Sequence, residues 1–438
     1  MDYLNDSPGA LYRKLLPAAV GSMLAATVTS FVDVLILSYY LGPNMLAVVE
    51  LCMPVYMLLN ALSLLISSGG STLMAQFIGE GNRRKADACY TLSCFLMVAT
   101  GAALMLGGSL FTTGIVRLLG ANETLLAPTT EYAHVLFLFM IPIMLYQFFM
   151  YFVRVDGEPN RCLAGSVVCG VVNLVLDVLF VGPLGWGVKG AALATCLAYT
   201  IGMMVTASHL FSKKNTLKLV WDGMFATTLP ILKTGLPLSF TDFGMSLTTS
   251  VFNNRIMQIG GESHVAAYAV ITQLSMTAMA FYDGTGQAAQ PIIAANYGAK
   301  KKDRIQETVK RGIRYEILLT AVCMLLYIVA AKQICALFSI HEGELLDVAS
   351  SAVRIYALAI PFTGINVFIM YIFQSQERTV IATVISLVGN CVMMLLILFV
   401  LTAIFGVDGI WFTWLVAQGL AMILNLCLHR AFAAKEKI

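Results

Sequence analysis

Apolar runs of twenty or more residues recur along the whole of this chain, separated by short polar turns. A hydrocarbon core about 30 Å thick is crossed by about 20 helical residues. Within lipid every backbone N–H and C=O must find a partner inside the protein, which leaves only helix bundles and closed β-barrels. The runs are continuously apolar and lack the alternation of barrel strands, so the barrel is excluded. A span-length reading predicts twelve transmembrane helices, over roughly 15–41, 45–78, 88–113, 128–153, 162–182, 188–211, 229–260, 264–297, 313–338, 348–374, 380–404 and 409–430. Composition agrees, with 59% of the 438 residues hydrophobic and 12% charged, against about 25% charged in an average soluble domain. The ten cysteines fall in apolar stretches without a CxxC pair and read as small buried hydrophobes. The polar start, Met1 to Lys14, has no small-residue cleavage site after its first apolar run, so a cleaved signal peptide is not expected.

Basic residues orient the bundle. About 22 of the 27 fall on one side of the twelve-helix reading. They include Arg83, Arg84 and Lys85, then Lys213, Lys214 and Lys218, and a loop between the eighth and ninth spans with Lys300, Lys301, Lys302, Arg304, Lys310, Arg311 and Arg314. By the positive-inside rule both termini are expected in the cytoplasm, with the basic loop a topology signal and not a nucleic-acid site.

The two halves of the chain resemble each other at an offset of about 219 residues. Gly187-Val188-Lys189-Gly190 matches Gly406-Val407-Asp408-Gly409, Ile141-Pro142 matches Ile360-Pro361, and Gly79 before one basic run matches Gly298 before another. A six-span unit enters and leaves on the same side, so the halves are parallel repeats about an axis along the membrane normal, a transporter architecture. The expected organisation is therefore all-α: two six-helix bundles, 1–211 and 229–438, joined by a cytoplasmic linker, 212–228, around a central cleft where a substrate would sit.

An acid inside a membrane helix costs about 2.5–3.5 kcal/mol on insertion scales and needs a partner or a purpose. Asp33, Asp177, Asp242 and Asp283 all lie within predicted spans. Counted from the helix ends at about 1.5 Å per residue, Asp33, Asp177 and Thr195 share one layer in the outer half of the membrane. Asn173 precedes Asp177 by one helical turn and projects from the same face. Two carboxylates, an amide and a hydroxyl at one depth suit a proton relay, or a small hard cation such as Na⁺ with these four residues as its metal ligands. Each alone would serve equally as a hydrogen bond between helices. Asp242 and Asp283 form a second candidate site nearer the bilayer centre, with Arg255 placed to neutralise either. Tyr146, Gln147, Tyr371 and Gln374 are candidate polar groups of a substrate cavity. Pro17, Pro142, Pro237, Pro291 and Pro361 are candidate hinges, and 23 methionines could line an adaptable apolar pocket. There is no phosphate-binding loop, so ATP is not expected as the energy source.

Several segments resemble the multidrug and toxic compound extrusion (MATE) family. They are Phe31-Val32-Asp33 leading to Leu41-Gly42-Pro43, Gly70-Ser71-Thr72 through Gln76 and Gly79, and Arg154-Val155-Asp156-Gly157-Glu158-Pro159. Asn173-Leu174-Val175-Leu176-Asp177 followed by Gly187-Val188-Lys189-Gly190 and Ala194-Thr195 is the most specific, and Gln290-Pro291 with Asn296-Tyr297-Gly298 completes the set. The resemblance covers nearly the whole chain and is to the bacterial branch with an aspartate in its first helix. It implies efflux of organic, often cationic compounds in exchange for H⁺ or Na⁺, with Asp33, Asn173, Asp177 and Thr195 matching that branch's cation site. Another branch uses a glutamate in its seventh helix; here that helix carries Asp242 at a different position.

The combined expectation is a secondary active antiporter of the bacterial inner (plasma) membrane. It is expected to work by alternating access, as a monomer in the lipid bilayer, on small organic substrates, without cofactor, ATP or nucleic acid, and not as an enzyme. The alternative is a flippase for a lipid-linked substrate, which shares the architecture but favours a cationic cavity, whereas intramembrane Lys and Arg are scarce here. A channel lacks its filter ring, and an intramembrane enzyme lacks a nucleophile and base at matched depth. Between H⁺ and Na⁺ the carboxylate pair favours H⁺, for which two carboxyls suffice.

Overall fold

In the computed structural model, residues 1–41, 43–221, 223–338, 340 and 343–435 are described. Gly42, part of the first motif above, lies outside them. The described residues are helical almost throughout: α1 (Pro8–Leu41), α2 (Pro43–Gly79), α3 (Arg83–Leu118), α4 (Glu123–Leu138), α5 (Met140–Val155), α6 (Pro159–Val181), α7 (Gly187–Ala207), α8 (Thr228–Gly298), α9 (Lys302–Val329), α10 (Ala331–Leu337), α11 (Glu344–Ser375), α12 (Thr379–Leu387), α13 (Met393–Phe405) and α14 (Asp408–Lys435). Nine stretches among them are long and apolar enough to cross a membrane, and the bent pair α4–α5 makes a tenth. At 71 residues, a straight α8 would be about 107 Å long, several times the hydrocarbon thickness. It is instead broken at Gly261, whose φ of 71° is a conformation that glycine adopts without a Cβ penalty. Its two arms are the seventh and eighth spans, and the total is twelve.

The breaks have local causes. The 53° bend between α4 and α5 falls at Phe139. Pro142, three residues on, lacks the N–H that would bond to Leu138, and its ring would clash with that carbonyl. Its repeat-mate Pro361 lies inside the unbroken α11. A π-helical turn, Val388–Val392, joins α12 to α13 and includes Asn390, whose carbonyl accepts a hydrogen bond from Thr248 at 2.9 Å. The basic run assigned to a long loop between the eighth and ninth spans is largely helical: only Ala299–Lys301 turn, and Lys302 to Arg314 form the first turns of α9. Lys, Arg, Glu and Gln are good helix formers at exposed positions, and Glu307 and Arg311 pair one turn apart at 2.9 Å. Arg83, Arg84 and Lys85 likewise open α3 behind the cap Asn82, which accepts from the Lys85 N–H.

Contacts divide the chain into two units. The first comprises Met1–Ser239 with Ala294–Lys301, the second Phe240–Ile293 with Lys302–Ile438. In the first, α5 is buried over most of its length, with the tilted rings of Phe148 and Phe152 4.4 Å apart and Tyr90 against both. In the second, the later turns of α11, Val367 to Ser375, are buried. Seven cysteines are buried as expected, whereas Cys427 is exposed on α14, whose outward face meets lipid rather than another helix.

Candidate functional site: an acid pair between helices

α6 is an inside-out amphipathic helix. Val171, Val175, Val178 and Leu179 face outward, while Cys162, Gly165, Ser166, Cys169, Gly170, Asn173 and Asp177 are buried on the other side. The inward stripe repeats every three or four residues, so Asn173 and Asp177 share a face one turn apart. Small residues bring the neighbouring helices close enough to meet that stripe. A Cβ on Gly170 would lie 2.2 Å from Thr29 Oγ1, so with Thr29 in this rotamer glycine is what admits α1 here. Gly165 and Gly202 play the same part between α6 and α7, where a Cβ on Gly202 would lie 3.0 Å from the Gly165 carbonyl oxygen.

The result joins all four residues inferred from depth. Asp33 of α1 and Asp177 of α6 are hydrogen-bonding neighbours. Asn173 Nδ2 donates to Asp177 Oδ2 at 2.8 Å and lies 3.4 Å from Thr195 Oγ1 of α7. Asp177 is 0% exposed. Oδ1 of Asp33 and Oδ1 of Asp177 are sealed from solvent and receive no donor among the described residues. The amide places its NH₂, not its carbonyl oxygen, toward the cluster. The cluster is thus a hydrogen-bonded pair of acids with Asn173 and Thr195 beside it.

The span reading missed the aromatic surround. Tyr132 and Tyr199 lie within electrostatic reach of Asp33, Tyr56 and Tyr132 hydroxyls are 3.5 Å apart, and Tyr199 meets the ring of Tyr146 edge-on at 5.3 Å. Tyrosines look alike in a hydropathy profile whether they face lipid, core or site, so nothing marked these three.

The remaining candidates separate by unit. In the first, Tyr146 is buried with its hydroxyl 3.1 Å from Ser166, and Gln147 is half-buried on the same helix. In the second, Tyr371 donates to Asp283 at 3.3 Å, Asp242 stands within electrostatic reach of Asp283, and Gln374 Oε1 accepts from Gln290 at 3.2 Å. Arg255 does not serve as their counter-ion. It donates to Thr402 at 3.2 Å and lies over Phe399, because Asp242 is more than three turns away along the same helix arm and Asp283 lies on the other arm.

The Arg154–Pro159 motif forms the turn between α5 and α6. His209 Nε2 and Asp156 Oδ2 are 2.6 Å apart, the Thr216 N–H donates to Asp156 at 2.9 Å, and Lys214 pairs with Glu158 at 2.7 Å. Gly157 takes the positive φ of 92° that the turn requires, and Pro159 opens α6. The motif thus pins the start of the linker to the first unit. Lys214 holds the Glu158 carboxyl below its usual range by that hydrogen bond.

A twelve-helix membrane protein with a doubled six-helix plan and a buried acid pair between helices has the architecture of a membrane transporter. The MatE family model matches it twice, over residues 17–179 and 237–400, once in each half, in agreement with the internal repeat. The chain belongs to the MatE family. Multidrug export protein MepA of Staphylococcus saprophyticus is 22% identical over 416 residues, covering 94% of this chain and 91% of that protein. Probable multidrug resistance protein YoeA of Bacillus subtilis is 26% identical over 438 residues, covering 97% and 94%. An outward-facing multidrug resistance MATE family transporter of the MOP superfamily shares the fold with a TM-score of 0.93 at 23% identity, over 100% of this chain and 98% of that one.

Proposed function

We propose that this protein is a multidrug exporter of the bacterial plasma membrane that moves small amphipathic or cationic organic compounds outward in exchange for H⁺. The Asp33–Asp177 contact is the observation that carries this reading. Two carboxyls can share a hydrogen bond only if one supplies a proton, and ionised together they repel. Proton occupancy therefore sets whether α1 and α6 are held together or pushed apart, and so gives the differential affinity that any coupled switch requires. Asn173 steadies Asp177, and Thr195 stands at the edge. Na⁺ in place of H⁺ would require Asn173 to turn its carbonyl oxygen inward, with Asp33, Asp177 and Thr195 as the other ligands. Candidate substrate contacts are Tyr146 and Gln147 within the first unit and, separately, Asp242, Asp283, Tyr371 and Gln374 within the second. The names of the MepA and YoeA relatives support the substrate class. Alternating access, a monomeric unit and cytoplasmic termini complete the proposal.

The test is substrate counterflow in proteoliposomes under an imposed H⁺ or Na⁺ gradient. A pH gradient alone should drive accumulation, and Asp177→Asn should abolish gradient-driven transport while the purified protein remains folded. Normal gradient-driven transport by Asp177→Asn would remove this residue from the coupling site.

A further inference from the structure

A further buried acid lies in the second unit. Glu316 of α9 is 0% exposed. It lies within the predicted ninth span, 313–338, and is not among the acids singled out from the sequence. Its Oε2 accepts a hydrogen bond from Thr285 of α8. Its Oε1 is sealed from solvent and receives no donor among the described residues. A Cβ on Gly364 of α11 would lie 2.1 Å from that oxygen, so a helix backbone closes the space in front of it. No Lys or Arg among the described residues pairs with it. The ionisable groups within electrostatic reach of it are Asp283 and Tyr282 of α8; Tyr327 and Tyr356 lie near Tyr282, and Tyr371 bonds to Asp283. Asp283, half-buried, is within electrostatic reach and holds Tyr371. Measured from the turn Ala299–Lys301, Asp283 and Glu316 are each about fifteen residues away, about 22 Å along their helices, and so share a depth.

A permanently ionised carboxylate with one donor and no cation, fully enclosed, would carry an uncompensated charge in a medium that penalises it severely. The free oxygen abuts the Gly364 backbone, and no group of three His, Cys, Asp or Glu among the described residues gathers there to hold a metal ion. A proton is the ligand that fits. We propose that Glu316, with Thr285 and Asp283, forms a second proton-binding site, in the C-terminal half of the protein. Asp283 is the exchange point with water and Glu316 the enclosed acceptor. The step is a proton uptake alone: an O–H bond of hydronium reaching the site from the side of Asp283 breaks, one forms on Glu316 Oε1, and neutral water is left. The inference goes beyond the proposed coupling at Asp33 and Asp177 and shares no residue with it.

Infrared difference spectra of the full-length protein in lipid nanodiscs, recorded across about pH 5 to 9, test this without any transport measurement, so a failure of the antiport reading leaves the test intact. The wild type should gain a carboxylic acid carbonyl band as pH falls. One component should be absent from Glu316→Gln and retained in the Asp33→Asn, Asp177→Asn double variant. Should Glu316→Gln fail to fold, Thr285→Val serves in its place, because loss of the Thr285 hydrogen bond should move the frequency of that component. Spectra of Glu316→Gln that superimpose on the wild type, or a component that Thr285→Val leaves unmoved, would overturn the site.

Discussion

Replacing Gly170 with alanine tests whether helix approach, and not merely the presence of the acids, makes the coupling site. The new Cβ would lie 2.2 Å from Thr29 Oγ1, where an ordinary contact needs about 3.4 Å. Either α1 retreats by about 1.2 Å, or Thr29 rotates and gives up its 2.8 Å bond to the Ala25 carbonyl. Overpacking of this kind costs about 1–3 kcal/mol, partly offset by about 1 kcal/mol from the better helix propensity of alanine. The net loss should be about 0–2 kcal/mol, a modest fall in thermal midpoint. The functional loss should be much larger. Asp33 lies one turn beyond Thr29, and a retreat of about 1 Å takes two carboxyls out of hydrogen-bonding range. Thr29→Ala should rescue it, since the next atom in the way, Thr29 Cβ, is at 3.5 Å, an ordinary contact. The assay is pH-gradient-driven counterflow with the thermal midpoint measured on the same preparations, run as a double-mutant cycle. Wild-type coupling in Gly170→Ala, or no recovery in Gly170→Ala/Thr29→Ala, would refute the argument from approach.

Three other predictions follow from particular contacts. Asp33→Asn and Asp177→Asn should each abolish gradient-driven export, and the double variant should be little worse than either, because the two act as one unit; additive losses in counterflow rates would show that they act separately. Thr195→Val should retain most pH-driven transport, since the hydrogen bond of Thr195 to this cluster among the described residues is the long 3.4 Å contact to Asn173, whereas its loss would favour a Na⁺ site built from four oxygens. Lys214→Ala should lower thermal stability by at most about 1 kcal/mol, because Lys214 is largely exposed. With the Glu158 carboxyl held below its ordinary value of 4.5, this contribution is present above that pH and lost as pH falls through the folded value. A difference in thermal midpoint that does not shrink in acid would show that the pair is not its source.

Much of the architecture could be read before any helix was placed. Transfer of a segment into lipid depends on its own residues, so hydropathy located the spans, and the break between the seventh and eighth fell at Gly261, within the short gap left for it. The face shared by Asn173 and Asp177 is likewise local, a consequence of helix periodicity alone. Which acids meet is not local. Asp33 and Asp177 are 144 positions apart in the chain, and their contact depends on a glycine that lets α1 approach α6. Arg255 looked like a counter-ion by charge, yet its side chain points to Thr402 and Phe399. Glu316 is not singled out within the predicted ninth span, and the packing of α8 and α11 around α9 makes it an enclosed acid. Hydropathy sums each residue's preference for lipid over water, while a site is defined by partners, and partners are chosen when helices pack.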